Sequence, residues 1–373
     1  KGEDEHNTKD TVLDGAREQV GPVVSEKMLA DMEAEKRHYL GTNLRWAPLE
    51  ERLFEILFLR QEIPLLPSYW EGYFPTVPMP EACYCWRKDM NPVVYAHANN
   101  TFRATAALTR LIDLTADIRT TCQSGLRDKA PQMIKKSLDK FLNWAAEDGG
   151  YRHLEYLPNI IVEIVDKHSN GMPRTAFVEM RMRDLARKHR KMLAIKPDKE
   201  DGRRPVIKPE YHGETSVIES DADEPMTTEQ GTPARDPVHV KQEDDEDAEI
   251  RVAIKRELHS ESEDDIAMAD IPLASAPTTN SASSPTLYRR QPPVIFGFFI
   301  IGTTVILLTA DSSKDEATMN LTPQVELDFV DRSLGIWNAL TVAIVACLAR
   351  DDMMQRTEDF EEARVVEESD PDA

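Results

Sequence analysis

Residues 198–271 carry 23 acidic side chains against 9 basic ones, and this stretch limits what the rest of the chain can build. It holds too little apolar surface to offset the entropy of ordering it, and its like charges repel. The flanks differ sharply. Residues 1–197 have 29 basic and 28 acidic side chains, residues 272–350 have 5 and 6, and residues 351–373 have 2 and 10. The formal net charge of -22 therefore belongs to an insert and a tail, while the apolar residues sit in two nearly neutral blocks. The expected organisation is a polar lead-in over 1–40, a helical domain over 41–197, and a disordered acidic linker over 198–292. An element over 293–350 then packs back on the helical domain, and an acidic disordered tail covers 351–373.

Helical periodicity dominates the first block. One helix is expected around Ser25–Tyr39. A stronger one begins at Pro48, which suits a first helical position, with Leu49, Leu53, Ile56 and Leu57 on one face. Residues 61–100 are rich in proline and aromatics and read as an irregular packed connection. Helices are expected over Phe102–Thr121 and from Pro131 to Ala146, the second stopped by Gly149-Gly150. The apolar, β-branched run Leu157–Val165 fits a buried strand or a buried helical turn, and periodicity does not choose. An amphipathic helix with Val178, Met182, Leu185, His189 and Met192 on its apolar face closes the block.

In the second block Val294–Ala310 is apolar and β-branched. Gln324–Phe329 alternates as a half-buried strand does, and Leu334–Ala349 is apolar nearly all round, as a buried helix is. The expected fold class is mainly α (α+β): a helical body with a C-terminal strand-strand-helix element, interrupted by the acidic insert. A membrane hairpin of two helices over 294–349 is the rival. Its runs of 17 and 16 uncharged residues fall short of the roughly 20 a helical span needs. Arg289-Arg290 and Arg350 flank those runs as the positive-inside rule would ask.

Chemistry-bearing patterns are sparse. The sequence has no Gly-rich phosphate loop, no nucleophile elbow and no His-Glu-x-x-His. Cys83-Tyr84-Cys85 lacks the second ligand pair of a structural zinc site. Four cysteines in a chain of this length suit a reducing compartment. Residues 1–40 show no charged-then-apolar leader, which argues against secretion. No catalytic residue, metal or cofactor is expected. Pro158-Asn159, Glu163 and Asp166-Lys167 approach the metal site of restriction-type nucleases, but the lysine does not follow the acid at the required spacing. A degenerate nuclease-like enzyme is the second alternative.

Inside the insert an aliphatic residue precedes Lys-x-Glu three times, at Lys208, Lys241 and Lys255. This pattern resembles the acceptor consensus for SUMO conjugation. The last two copies run into acidic stretches that would strengthen docking on a basic enzyme surface. Ser260 and Ser262 precede acids, as substrates of acidophilic kinases do. The run Arg181, Arg183, Arg187, Lys188, Arg190 and Lys191 is a candidate nuclear-localisation signal, or the solvated face of a helix. With a neutral body and no aromatics interleaved there, nucleic acid is a poor partner.

Trp46–Phe54, Phe102–Leu108, Trp144–Tyr151 and Trp337–Thr341 resemble stretches of a conserved filamentous-fungal protein family with no assigned activity. The resemblance implies a fungal, intracellular protein and adds no mechanism. The expected function is a non-enzymatic, nuclear or nucleocytoplasmic protein-interaction protein whose linker is modified by the SUMO-conjugating machinery and by kinases.

Overall fold

The computed structural model describes residues 24–40, 45–87, 90–165, 173–195 and 287–362, so the expected disorder over most of the insert and tail lies outside them. Helix α1 (Glu26–Leu40) packs on α2 (Pro48–Leu59) by setting Met32 against Phe54 and Leu59. Lys36 reinforces that contact through Glu51 and, at 3.0 Å, Glu55. Pro48 opens α2 with a pre-set φ, and Glu50 Oε2 accepts the Ala47 N–H at 3.0 Å to close the first turn. The proline-rich connection buries Trp70 and Phe74 and contains one short parallel pair, β1 (Leu66–Pro67) with β2 (Tyr84–Cys85).

Helix α3 (Thr101–Gln123) is capped by Asn100, whose side chain accepts the Arg103 N–H at 3.1 Å. Helix α4 (Ala130–Asp148) carries Pro131 in its first turn and ends at Gly149-Gly150, where Gly150 has φ 73°. Of the apolar positions that helical spacing marks, Leu108, Leu111, Leu114 and Ile118 on α3 and Ile134, Leu138, Phe141 and Ala145 on α4 are buried, while Ile112 and Leu142 are half-buried at the edge of the core.

After the short β3 (Leu154–Glu155) comes β4 (Ile160–Ile164), so the ambiguous run is a strand. Helix α5 (Arg174–Leu193) follows, then β5 (Val294–Ile301), β6 (Thr304–Asp311), β7 (Thr322–Asp328), α6 (Gly335–Met354) and the short β8 (Glu361–Glu362). The main sheet has the order β4-β5-β6-β7. β4 runs parallel to β5, and the other pairs are antiparallel. The insert thus interrupts the return arm of a β-α-β crossover, and the two sequence blocks share one sheet.

Both faces of that sheet are covered. Phe296, Phe298, Ile300, Val305 and Leu307 point into the main core with α2, α3, α4 and α6. Ile295, Phe299, Ile301, Ile306 and Leu308 face Val178, Met182 and Leu185 of α5. A strand buried on both faces reads as a continuous apolar run, because neither side needs polar residues. Gly297 lets α5 approach closely: a Cβ there would lie 2.8 Å from Met182 Sδ and 2.4 Å from the Phe299 ring.

Three expectations need correction. Val294–Ala310 is two strands, turned at Gly302 (φ 57°), so the C-terminal element is strand-strand-strand-helix. As a single strand it would extend about 55 Å at roughly 3.3 Å per residue, far beyond its partners. The same turn removes the first half of the two-helix membrane hairpin. Among the described residues one helix, Arg332–Met354, is long and apolar enough to cross a membrane, and 72% of its apolar window is buried against the protein. Finally, the start of the acidic tail is structural. Asp351, Asp352 and Asp359 pair with arginines, and β8 pairs antiparallel with β3.

Arg350 joins α6 to the rest. Its side chain is fully buried, and Nη1 donates to Asp148 Oδ2 at 2.6 Å and to the Tyr95 carbonyl at 2.8 Å. Nε and Nη2 reach Asp351 Oδ1 at 3.0 and 2.8 Å, and the guanidinium lies 4.4 Å from the centre of the Tyr95 ring. Asp148 also accepts the backbone N–H groups of His97 and Ala98 at 2.8 and 3.1 Å. One buried ion pair therefore ties together α4, the 95–98 loop and α6.

Candidate functional site

The place where the acidic insert leaves and rejoins the body is the candidate site. Helix α5 ends at Leu193, and Ala194 forms an antiparallel bridge with Tyr288. The Ile195 N–H donates to the Leu287 carbonyl and the Arg289 N–H to the Leu193 carbonyl, each at 2.9 Å. Residues 195 and 287 are thus neighbours across a ladder, with Ile195 and Leu287 both exposed.

The returning chain is then fastened to the end of α6. Arg289 and Arg290 pair with Asp359 at 3.9 and 3.4 Å, and Arg290 also reaches the Gln355 carbonyl at 2.5 Å. Arg356 closes the seam by donating to the Gln291 carbonyl at 2.7 Å while holding Asp352 at 3.0 Å.

The basic run on α5 is largely engaged. Arg181 pairs with Glu163 of β4, Arg183 with Glu179 at 3.5 Å, and Lys188 with Asp184 at 2.8 Å. Arg187 holds Glu316 at 2.7 Å. Arg190, with an 11% exposed side chain, donates to the carbonyls of Ser312 and Lys314 at 3.1 and 2.8 Å. The Lys188 hydrogen bond draws Asp184 below its usual value, and Arg187 does the same to Glu316. Lys191 is exposed and pairs with no carboxylate among the described residues. The run therefore fastens α5 to β4 and to the β6–β7 connection.

Lys208, Lys241, Lys255, Ser260 and Ser262 lie outside the described residues. Of the nuclease-like positions, Pro158, Asn159 and Glu163 have partners within the fold. Asn159 is buried and donates to the Ala349 carbonyl at 3.2 Å and to Asp352 at 3.4 Å, and the Pro158 carbonyl lies 3.1 Å from His189 Nε2. Glu163 is held by Arg181, and Asp166 and Lys167 fall outside the described residues. Cys83 is a buried thiol pushed up to about 11 by burial. Among the described residues, no three His, Cys, Asp or Glu side chains are grouped to hold a metal ion.

Sequence reasoning missed the root because the insert hides it: Ala194 and Tyr288 carry no signal that they pair. Arg289-Arg290 beside the later acids was the one available hint. No protein-family model, curated protein or solved structure matches the chain.

The root makes excision a clean experiment. Deleting residues 196–286 and joining Ile195 to Leu287 through Asn-Gly should leave the fold intact, because two residues of that type close an antiparallel ladder. Closure cost falls by about 0.6 kcal/mol with each halving of loop length, so the melting temperature should be unchanged or higher. A thermal melt followed by circular dichroism checks this. A lower melting temperature would mean that the insert contributes to the core.

Proposed function

We propose that this chain is a non-enzymatic protein-interaction protein of the nucleus or nucleocytoplasm whose acidic insert is a modification platform. Lys241 and Lys255 are its leading SUMO acceptors, Lys208 is a third, and Ser260 and Ser262 are its phosphorylation sites. The observation that carries the reading is the root at Ala194 and Tyr288. Because the insert leaves and rejoins the body at paired positions, joined by the Ile195–Leu287 and Arg289–Leu193 hydrogen bonds, a conjugate within it need not change the partners of any described element. The ionisable groups that bind elements together, Arg350 with Asp148 and Arg190 with the 312–314 carbonyls, already have structural roles.

Lys208 ranks third because Pro209 follows it and no acidic stretch does. Replacing all three lysines with arginine keeps the charge and removes the acceptor amine. Under denaturing purification, wild type should show a slower-migrating species recognised by a SUMO antibody, and the triple variant should not. Absence of that species from wild type, even with the conjugating enzymes overexpressed, would end the platform proposal.

A further inference from the structure

Glu50 does more than close the first turn of α2. Its side chain is 2% exposed, and while Oε2 accepts the Ala47 N–H, Oε1 has no hydrogen-bond partner. The carboxyl meets β6 at Thr309, a fully buried residue whose Oγ1 accepts from Gln324 Nε2 of β7 at 3.0 Å. Gln324 Oε1 is a second buried acceptor without a donor. Two buried acceptors therefore lie near one threonine hydroxyl whose single hydrogen can serve only one of them, at the joint between a helix start and the sheet.

The charged groups facing this joint do not compensate a carboxylate. Asp311, at the end of β6, adds like charge. Lys314, from the β6–β7 connection, is the cation facing it, and its ammonium already donates to the Arg45 carbonyl at 2.6 Å. It also lies 4.0 Å from Asp311. An ionised Glu50 would be a nearly dry charge held only by the Ala47 N–H and the Thr309 hydroxyl, with Asp311 close by, which is costly. A proton on Oε1 removes the charge and adds a second donor where two buried acceptors share one hydroxyl hydrogen.

We propose that Glu50 is a proton-binding site built into the fold, neutral when α2 is seated on the sheet, and that its ionisation loosens the α2–β6 joint. Burial holds the carboxyl above its usual value, and Asp311 pushes in the same direction, while the Ala47 N–H, Thr309 and Lys314 oppose. The folded chain then keeps this proton to a higher pH than the unfolded chain does. Over that window it binds more protons, so the contribution is full below the ordinary glutamate value and is lost as pH rises.

The test compares the full chain with Glu50→Gln, an isostere of the neutral acid, in thermal melts from pH 5 to pH 9. The two should melt together at pH 5, and wild type should fall about 3 °C below the variant once Glu50 ionises. Infrared spectra supply a measurement on wild type alone. A protonated-carboxyl band should be present in acid, should persist in wild type to a higher pH than an ordinary glutamate allows, and should be reduced in Glu50→Gln. Parallel melting curves at every pH would overturn the proposal, as would a uniformly less stable variant together with spectra that do not change.

Discussion

Replacing Arg350 with methionine should cost about 3–5 kcal/mol, the price of leaving a buried carboxylate without its cation. Methionine fills much of the same volume, so the loss is electrostatic rather than a cavity effect. Asp148 would retain the N–H groups of His97 and Ala98 but lose Nη1 at 2.6 Å. The carbonyl of Tyr95 would lose its donor at the same time. At about 3 °C per kcal/mol, the melting temperature should drop by about 10 °C. Asp148→Asn in the same chain should restore part of the loss, because it removes the stranded charge. A double-mutant cycle read by chemical denaturation measures that coupling. A loss below about 1 kcal/mol in Arg350→Met would show that the pair does not join α6 to α4.

The second large effect is a pH dependence centred on His189. The ring is 1% exposed on the apolar side of α5, and Nε2–H donates to the Pro158 carbonyl. The other nitrogen, Nδ1, is buried without a partner. Burial pushes the imidazole down to about 4 and Arg356 pushes it the same way, although the Pro158 carbonyl opposes. The unfolded chain takes up this proton near pH 6.5 and the folded chain only near 4, so stability should fall as pH drops through that window. Between pH 6.5 and pH 5 the loss should reach about 2 kcal/mol. His189→Gln keeps an N–H donor and removes the titration, so its stability should be flatter over the same range. Denaturant titrations at pH 7, 6 and 5 would show this, and equal slopes for the two proteins would refute it. The proposed Glu50 titration would act in the opposite direction, so the comparison is made in the Glu50→Gln background, where adding His189→Gln should flatten the pH response.

Much of the helical framework was legible because its signals are local. Pro48, the Gly149-Gly150 stop and the apolar spacings of α3, α4 and α5 each depend on neighbours within a few residues. The basic run was legible as a helix face, yet its use was not. Arg187 and Arg190 bind the connection after β6, more than a hundred positions later. Arg350 was misleading for the same reason. A charge after a long apolar run resembles a membrane flank, and only the distant Asp148 makes it a core residue. The SUMO-like pattern is legible in the sequence alone, and the described residues add only the paired positions on either side of the insert.

The sequence by itself determined where the chain is divided and which segments are helical, since charge balance and helical periodicity are properties of short windows. Only the tertiary structure decided that Ile160–Ile164 is a strand, that it lies parallel to Val294–Ile301, and that the two blocks are one sheet. β-Branched apolar runs carry no mark of their partner. Pairing is selected by what covers both faces of the strand, and here that cover comes from helices on either side of the insert.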